Sequence, residues 1–551
     1  MTNERLAQYN TFQENHLGFK GIIAGVADEL IPEGYVPDME NLKITVEGIA
    51  SAVSNPNVLE PPAGITTAPT SIFLWQRDDG SKILIAQYGA ELYWWGTFNS
   101  VIGWNRITRN SNSVLDSTDK ASFAAGMLDE LFCVNEKTQC MKITASSGTY
   151  MATTLPNGPM GKYMTLWKNR LFVAGVTTFY GTSSTTTTSG TATFPSSKGV
   201  VVFSNINLAE TTHTPYGLDP TNYDNGWYIG GQLIDLKTPE NSECTGLFPV
   251  AENLLFFTKS SVHTFSGTME SNFTLYDYYH GANTPRNNAV VGAGGVFYIS
   301  NDGFYTLSKE PKAISESVRP LIDPSNATVS CAYYDNRVWF LTGGKLVALN
   351  AATGNWEKYN LGGLYRYYNN TTQRWEDIDK GIQNTVYAAD YLYIGTTTGQ
   401  ILVVGQPNSM TPGYRKWYLK TPVLNQGITT ADKRYKTLFV YAKNTSSKID
   451  TSYSVDYGGY MSVTPTISGI QSGSLWGQMY WEPYDEVAPH LHGVWSEANA
   501  DMEVYKRQII VDLARTIRLL FQSSSEVGNT NEGALLGYAI VYTPKRKYGV
   551  R

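Results

Sequence analysis

The residues that could do chemistry in this 551-residue chain are few and scattered. His490 and His492, in Pro489-His-Leu-His-Gly493, are close together in a chain with six histidines. At i and i+2 on a strand they would share a face and could ligate a metal, but two ligands fall short of the three or four a zinc site uses. The pair reads as a surface or interface feature, and no metal or other cofactor is expected. Carboxylate pairs for glycoside hydrolysis are defined by a spatial separation of about 5 to 9.5 Å and leave no fixed sequence spacing. Asp224, Asp277, Asp302 and the neighbours Glu376 and Asp377 are the carboxylates to inspect. Trp94, Trp95, Tyr365, Tyr367 and Tyr368 could stack on sugars, and otherwise fill the packing between sheets.

Recognised catalytic patterns are missing. Ser300-Asn-Asp302-Gly303-Phe-Tyr-Thr306 approximates an Asp-box turn but lacks the residue between Asp and Gly, so it reads as a hairpin turn. Gly158-Pro-Met-Gly161-Lys162-Tyr163 has neither the loop length nor the hydroxyl residue of a phosphate-binding loop, and no G-x-S-x-G elbow occurs. On these grounds the chain is expected not to be an enzyme.

The elements that would position such residues are strands. Residues 335–359 read as three antiparallel strands, 338–341, 345–350 and 356–359, joined by Gly-containing turns. The same grammar recurs at Leu84-Ile85, Leu131-Phe132, Leu171-Phe172, Leu255-Phe256, Val296-Phe297, Val338-Trp339 and Leu392-Tyr393. Most steps are about 40 to 54 residues, the period of four-stranded propeller blades. The step from Leu171 to Leu255 is about twice as long and contains a Ser/Thr/Gly run. That run, from Gly181, Thr182, Ser183 and Ser184 to Gly199, reads as a loop inserted in one blade, with a whole degenerate blade as the rival; its composition suits channel or assembly contacts.

The expected fold is all-β: a β-propeller of about six to eight blades over residues 41–406, followed by a β-sandwich-like domain over 407–551. Residues 1–40, dense in Pro and Gly, read as an extended arm, with the strand-like residues 41–48 closing the propeller. The basic tail, Lys545, Arg546, Lys547 and Arg551, is either a solvated terminus or a partner contact. Cys133 and Cys140 could face each other across a hairpin or stay as buried free thiols. Lys plus Arg is 42 against 48 Asp plus Glu, a formal charge of -6, which gives no basic excess for holding nucleic acid. No secretory signal or membrane-spanning run is read in the sequence, so a soluble chain made in a cytoplasm is expected.

Three stretches carry a family resemblance. Leu30-Ile-Pro-Glu-Gly34, Pro37-Asp-Met-Glu-Asn41-Leu and Val46-Glu-Gly48 open the chain. Thr245-Gly-Leu247, Gly281-Ala-Asn-Thr-Pro-Arg286, Phe297-Tyr-Ile-Ser-Asn-Asp-Gly303-Phe-Tyr305 and Ile314-Ser315 lie at its centre, and Arg434-Tyr-Lys436 in the closing region. Together they resemble bacteriophage tail proteins of the hub, or nozzle, kind. The resemblance implies a virion structural subunit in a homo-oligomeric ring, a hexamer, at the end of a short tail. Its implied partners are a portal adaptor, other tail proteins and tail fibres, and double-stranded DNA passes through the ring during genome ejection. The implied location is the virion, assembled in the host cytoplasm. A glycan-binding or glycan-cleaving propeller and a soluble propeller scaffold are the rival readings.

Overall fold

The structure, a computed structural model, describes residues 11–545 except 99, 110–114, 118, 126–128, 147, 156–157, 183–188, 194–198, 205–232, 237–241, 268–272, 282–283, 370–373, 407–413, 428–430, 444–447, 469–502 and 525–532. It divides into two units: residues 56–346 with 379–407, and residues 1–55 with 347–378 and 408–551.

The first unit is a propeller. Its sheets begin, in chain order, with Ser71–Gln76, Ser122–Ala125, Tyr163–Trp167, Cys244–Val250, Val290–Gly292, Val329–Tyr334 and Gln383–Ala388. Each of these seven first strands touches the next, and the seventh touches the first, which closes a ring among the described residues. The second strand of a sheet lies between two neighbouring sheets and is buried on both faces. This is why Leu131–Asn135 and Arg170–Ala174 are buried at every position and read as continuous apolar runs instead of alternating. One apolar cluster joins the first and second sheets through Trp75, Leu92, Leu131 and Met141, and the next joins the second and third through Phe132, Leu155, Leu171 and Val202. Each buried Phe or Leu contributes about 1.5–3 kcal/mol of transfer free energy. The turns follow backbone chemistry: Asp335 and Asn336, at φ 52 and 56°, form the tight turn into Arg337–Thr342.

The closing strand differs from expectation. Asn57–Leu59 pairs antiparallel with Ile401–Val404 and completes the seventh sheet. Lys380 Nζ, 2.9 Å from Glu60 Oε1, reinforces the closure just past that strand. Residues 41–48 close nothing in the propeller: Leu42–Ile44 pairs with Ala50–Ala52 in the other unit. The long third repeat is one sheet, Tyr163–Trp167, Arg170–Ala174, Val200–Phe203 and Leu233–Asp235, with the hairpin Thr178–Thr182 and Ser189–Thr193 inserted in it. Gly181 and Thr182 therefore belong to a strand and Gly199 is buried beside Leu236, whereas Ser183 and Ser184 lie outside the described residues.

Among the described residues the second unit has two larger sheets, beside the two-stranded pairs Gly21–Ile22 with Tyr35–Val36 and Leu364–Asn369 with Arg374–Asp379. One runs Glu503–Ala514, Asp432–Lys443, Ala534–Lys545, Ala50–Ala52, Leu42–Ile44, with Phe12–Leu17 also paired to Ala534–Lys545. The other runs Asp38–Glu40, Tyr418–Lys420, Ile517–Ser523, Lys448–Val455, Met461–Ser468. The rings of Phe521 and Tyr538, one from each sheet, meet at 5.8 Å. Residues 11–40 are thus no free arm, because Phe12–Leu17 and Asp38–Glu40 complete this unit's two larger sheets. Two glycines make room for them: a Cβ on Gly537 would meet the His16 carbonyl, and one on Gly48 the Gly18 backbone.

Candidate functional site

The first strands of the propeller surround an axial cavity of about 450 Å³. Most polar groups lining it are already engaged. Ser122 Oγ accepts from Met164 N at 2.9 Å, tying the second sheet to the third, and Ser330 Oγ donates to Val386 O at 2.8 Å, tying the sixth to the seventh. Asn288 Oδ1 accepts from Leu247 N at 2.9 Å, joining the fourth and fifth. Asp119 lies 3.4 Å from Lys137 Nζ, and Glu136 lies 3.2 Å from Lys162 Nζ, which also pairs with Glu243. Burial opposes charging of Lys162, but Glu243 and Glu136 together raise its pKa.

Lys120 is the exception. It leaves the second sheet, crosses the axis, and donates from Nζ to Val329 O of the sixth sheet at 3.0 Å. Its side chain is solvent-exposed, although it stands among the residues that line the cavity. Desolvation lowers the Lys120 pKa, and burial raises that of the nearby Cys331 thiol.

A second cluster lies in the fourth sheet. Ser261 Oγ is 2.8 Å from His263 Nε2, and His263 Nδ1 is 2.7 Å from Asp277 Oδ1, the connectivity of a hydrolytic triad. The exposure is inverted. Ser261 and His263 are 0% and 1% exposed, whereas the Asp277 side chain is 62% exposed. Ser261 Oγ is further held by Thr258 Oγ1 at 2.7 Å. A nucleophile sealed in the core cannot meet a substrate, so this chain of bonds secures the two outer strands of its sheet. Burial lowers the His263 pKa against the opposing pull of Asp277.

The carboxylates singled out from sequence do not converge. Asp277 belongs to the cluster just described, and Asp302 accepts from Tyr305 OH at 2.8 Å in the turn of the fifth sheet. Ser300 N donates to Gly303 O there, as a hairpin turn requires. Asp224, His490 and His492 lie outside the described residues, as do Arg546, Lys547 and Arg551, while Lys545 ends a strand opposite Asp432. Glu376 and Asp377 lie on the strand Arg374–Asp379, and Tyr365, Tyr367 and Tyr368 on Leu364–Asn369. Trp94 is buried and Trp95 packs edge-on against Trp104 at 5.3 Å, so both serve the core. Cys133 and Cys140 are free thiols in separate apolar clusters on the two faces of one sheet. Sequence reasoning missed Lys120 and the Ser261-His263 pair; the i, i+2 spacing of the latter was the one available signal.

No family model matches the chain, and no curated relative matches it. Among solved structures it is similar to an exo-β-1,3-galactanase from Phanerochaete chrysosporium with galactose, at 10% identity over 88% of this chain and 100% of that one, with a TM-score of 0.26. It is also similar to YCF48 from Cyanidioschyzon merolae, at 11% identity over 64% and 98% of the two chains, TM-score 0.33. PorZ of the type-IX secretion system of Porphyromonas gingivalis matches at 12% identity over 69% and 44%, TM-score 0.33. Identities this low speak to fold and nothing finer. The expectation that the chain is not an enzyme is withdrawn: the solved structures to which it is similar include exo-β-1,3-galactanases, and missing sequence motifs do not exclude catalysis. Among the described residues no helix is long and apolar enough to cross a membrane.

Proposed function

We propose that this chain is a subunit of a bacteriophage tail hub or nozzle ring, a conduit for genome ejection. One observation supports this reading best: the residues that carry the resemblance are the ones that hold each unit's frame. In the second unit, Asn41 adopts φ 58°, donates to Lys416 O at 2.7 Å and accepts from Asn360 N at 2.7 Å. Asp38 accepts from Tyr418 OH at 2.8 Å, and Met39 and Leu42 are fully buried. In the propeller, Ser315 Oγ accepts from Phe304 N at 3.0 Å, and a Cβ on Gly303 would collide with that hydroxyl. Side chains with such duties tolerate few replacements, so a shared phrase at these positions speaks for a shared frame. The partners of this reading are further copies of the chain in a ring, a hexamer by the resemblance, with a portal adaptor, tail fibres and DNA in transit. Imaging the chain in assembled particles, with the native mass of the ring and its affinity for duplex DNA at physiological salt, tests it. A chain that stays monomeric beside its tail partners, or a lumen that binds DNA tightly through Lys and Arg, refutes it.

The axial cavity favours a second reading, a glycan-binding or glycan-cleaving propeller, since Asp119, Glu136 and Tyr163 line one pocket. Turnover of a β-1,3-linked galactan that is lost in Glu136→Gln would establish it.

A further inference from the structure

We propose that an apolar, acidic patch around Gly18 docks the basic residues 545–551 of a second copy of this chain. Resting on the ring reading above, this contact would join one subunit to the next. Two turns bracket Gly18: Tyr35 N donates to Pro32 O at 3.1 Å in one, and Gly48 N to Thr45 O at 3.0 Å in the other. Lys20 N donates to Gly34 O and Phe19 N to Gly48 O, both at 2.7 Å, so Leu17, Glu33, Val46 and Glu47 surround one spot on the surface. Glu29 and Leu30 lead into the first turn. Val46 and Leu30, 77% and 73% exposed, are the most exposed large apolar side chains among the described residues, and Leu17 is 62% exposed. One exposed Leu is ordinary, but three in one patch mark a contact surface. Glu29, Glu33 and Glu47 are exposed too, and none forms an ion pair among the described residues. The nearby base, Lys20, lies over the Tyr35 ring, and Asp28 is paired with Arg518, so the patch keeps a net negative charge. Residues 545–551, Lys-Arg-Lys-Tyr-Gly-Val-Arg, offer the complement. Arg546, Lys547 and Arg551 suit the carboxylates, and Tyr548 and Val550 suit the apolar ground between them. Within one copy the two cannot meet. Leu17 pairs with Gly537, eight residues before Lys545, which sets Lys545 about 27 Å from the patch at the rise of a strand. Residues 546–551 span at most about 22 Å when fully extended. They reach a neighbour's patch instead of their own, and such a head-to-tail contact repeats around a closed ring.

The test uses the full chain and a fluorescein-labelled peptide of residues 545–551, followed by fluorescence anisotropy at low salt. The peptide should bind the wild type about tenfold more tightly than the double variant Glu33→Lys with Glu47→Lys. Leu30→Ser with Val46→Ser should weaken it about fivefold. A peptide carrying Tyr548→Ser and Val550→Ser keeps the charge and should bind the wild type about fivefold more weakly, which unselective attraction between opposite charges would not produce. No binding, equal binding to the wild type and the Glu33→Lys, Glu47→Lys variant, or equal binding of the two peptides overturns the proposal. If a chain variant fails to fold, the two peptides on the wild type decide alone. Native mass separates this contact from the ring reading. Arg546→Glu with Lys547→Glu should lower the mass of the assembly. A ring of unchanged mass overturns the tail contact and leaves the ring standing, whereas peptide binding at the patch of a chain that never forms a ring refutes the ring and leaves the contact.

Discussion

Closure of the propeller by Asn57–Leu59 can be tested by making it covalent. Asn57 and Val403 are direct partners in the antiparallel register. Directly opposite residues have Cα atoms about 4.5–5.5 Å apart, inside the window a disulfide accepts. Asn57→Cys with Val403→Cys would close a loop of 346 residues, the difference of the two residue numbers. For that length the loss of chain entropy in the unfolded state is worth about 6 kcal/mol at 25 °C, an upper figure because native strain subtracts from it. Spread over the roughly 320 residues of the propeller unit, it would raise the unfolding midpoint by about 9 °C at most. The native thiols interfere little, since burial raises the pKa of Cys133, Cys140 and Cys244, the last to about 12, and a protonated thiol does not exchange. Oxidised and reduced forms of the double variant are compared by scanning calorimetry, and the 57–403 peptide by non-reducing mass spectrometry. Free thiols at both positions in folded, oxidant-treated protein, or identical midpoints with and without reductant, would refute the closure.

Three further outcomes follow from the geometry. Desolvation lowers the folded pKa of Lys120 below 10.5, so the unfolded chain binds more protons between those two values and stability rises with pH across that window; the penalty is complete below it and absent above it. The difference in unfolding free energy between wild type and Lys120→Met should thus shift in favour of wild type as the pH approaches 10.5, and a difference independent of pH would contradict the assignment. Ser261→Ala removes the bonds to His263 and Thr258 from a sealed interior and should cost about 1–3 kcal/mol in denaturant unfolding, with no serine-directed phosphonate label on Ser261 in the wild type; labelling there would show that the site opens. Gly537→Val should expel Phe12–Leu17 from its place beside Ala534–Lys545 and speed proteolysis within residues 11–17 about tenfold, whereas unchanged cleavage would mean that the strand does not sit there.

The sequence by itself determined the class of fold. Its signal was local: dipeptides such as Leu131-Phe132 and Val338-Trp339 recur because the second strand of each sheet is buried on both faces, and turns such as Asp335-Asn336 need the left-handed backbone that Asp and Asn tolerate. The hairpin turn at Ser300–Gly303 and the strands 345–350 and 356–359 were legible for the same reason. Closure was not. Asn57–Leu59 is three half-buried residues whose partner lies more than 340 positions away, and a strand that short carries no periodicity to announce it, whereas residues 41–48 carry the stronger β pattern for a different sheet. The candidate sites were hidden by the same non-local geometry. Asp277 meets His263 only because a bulge between Val262 and His263 shifts the register. Lys120, one charged residue before a strand, acquires its place on the axis only when the ring closes and brings Val329 of the sixth sheet across from the second. Local chemistry decides which segments become strands; which of them meet is decided by burial of faces that a linear pattern leaves equivalent.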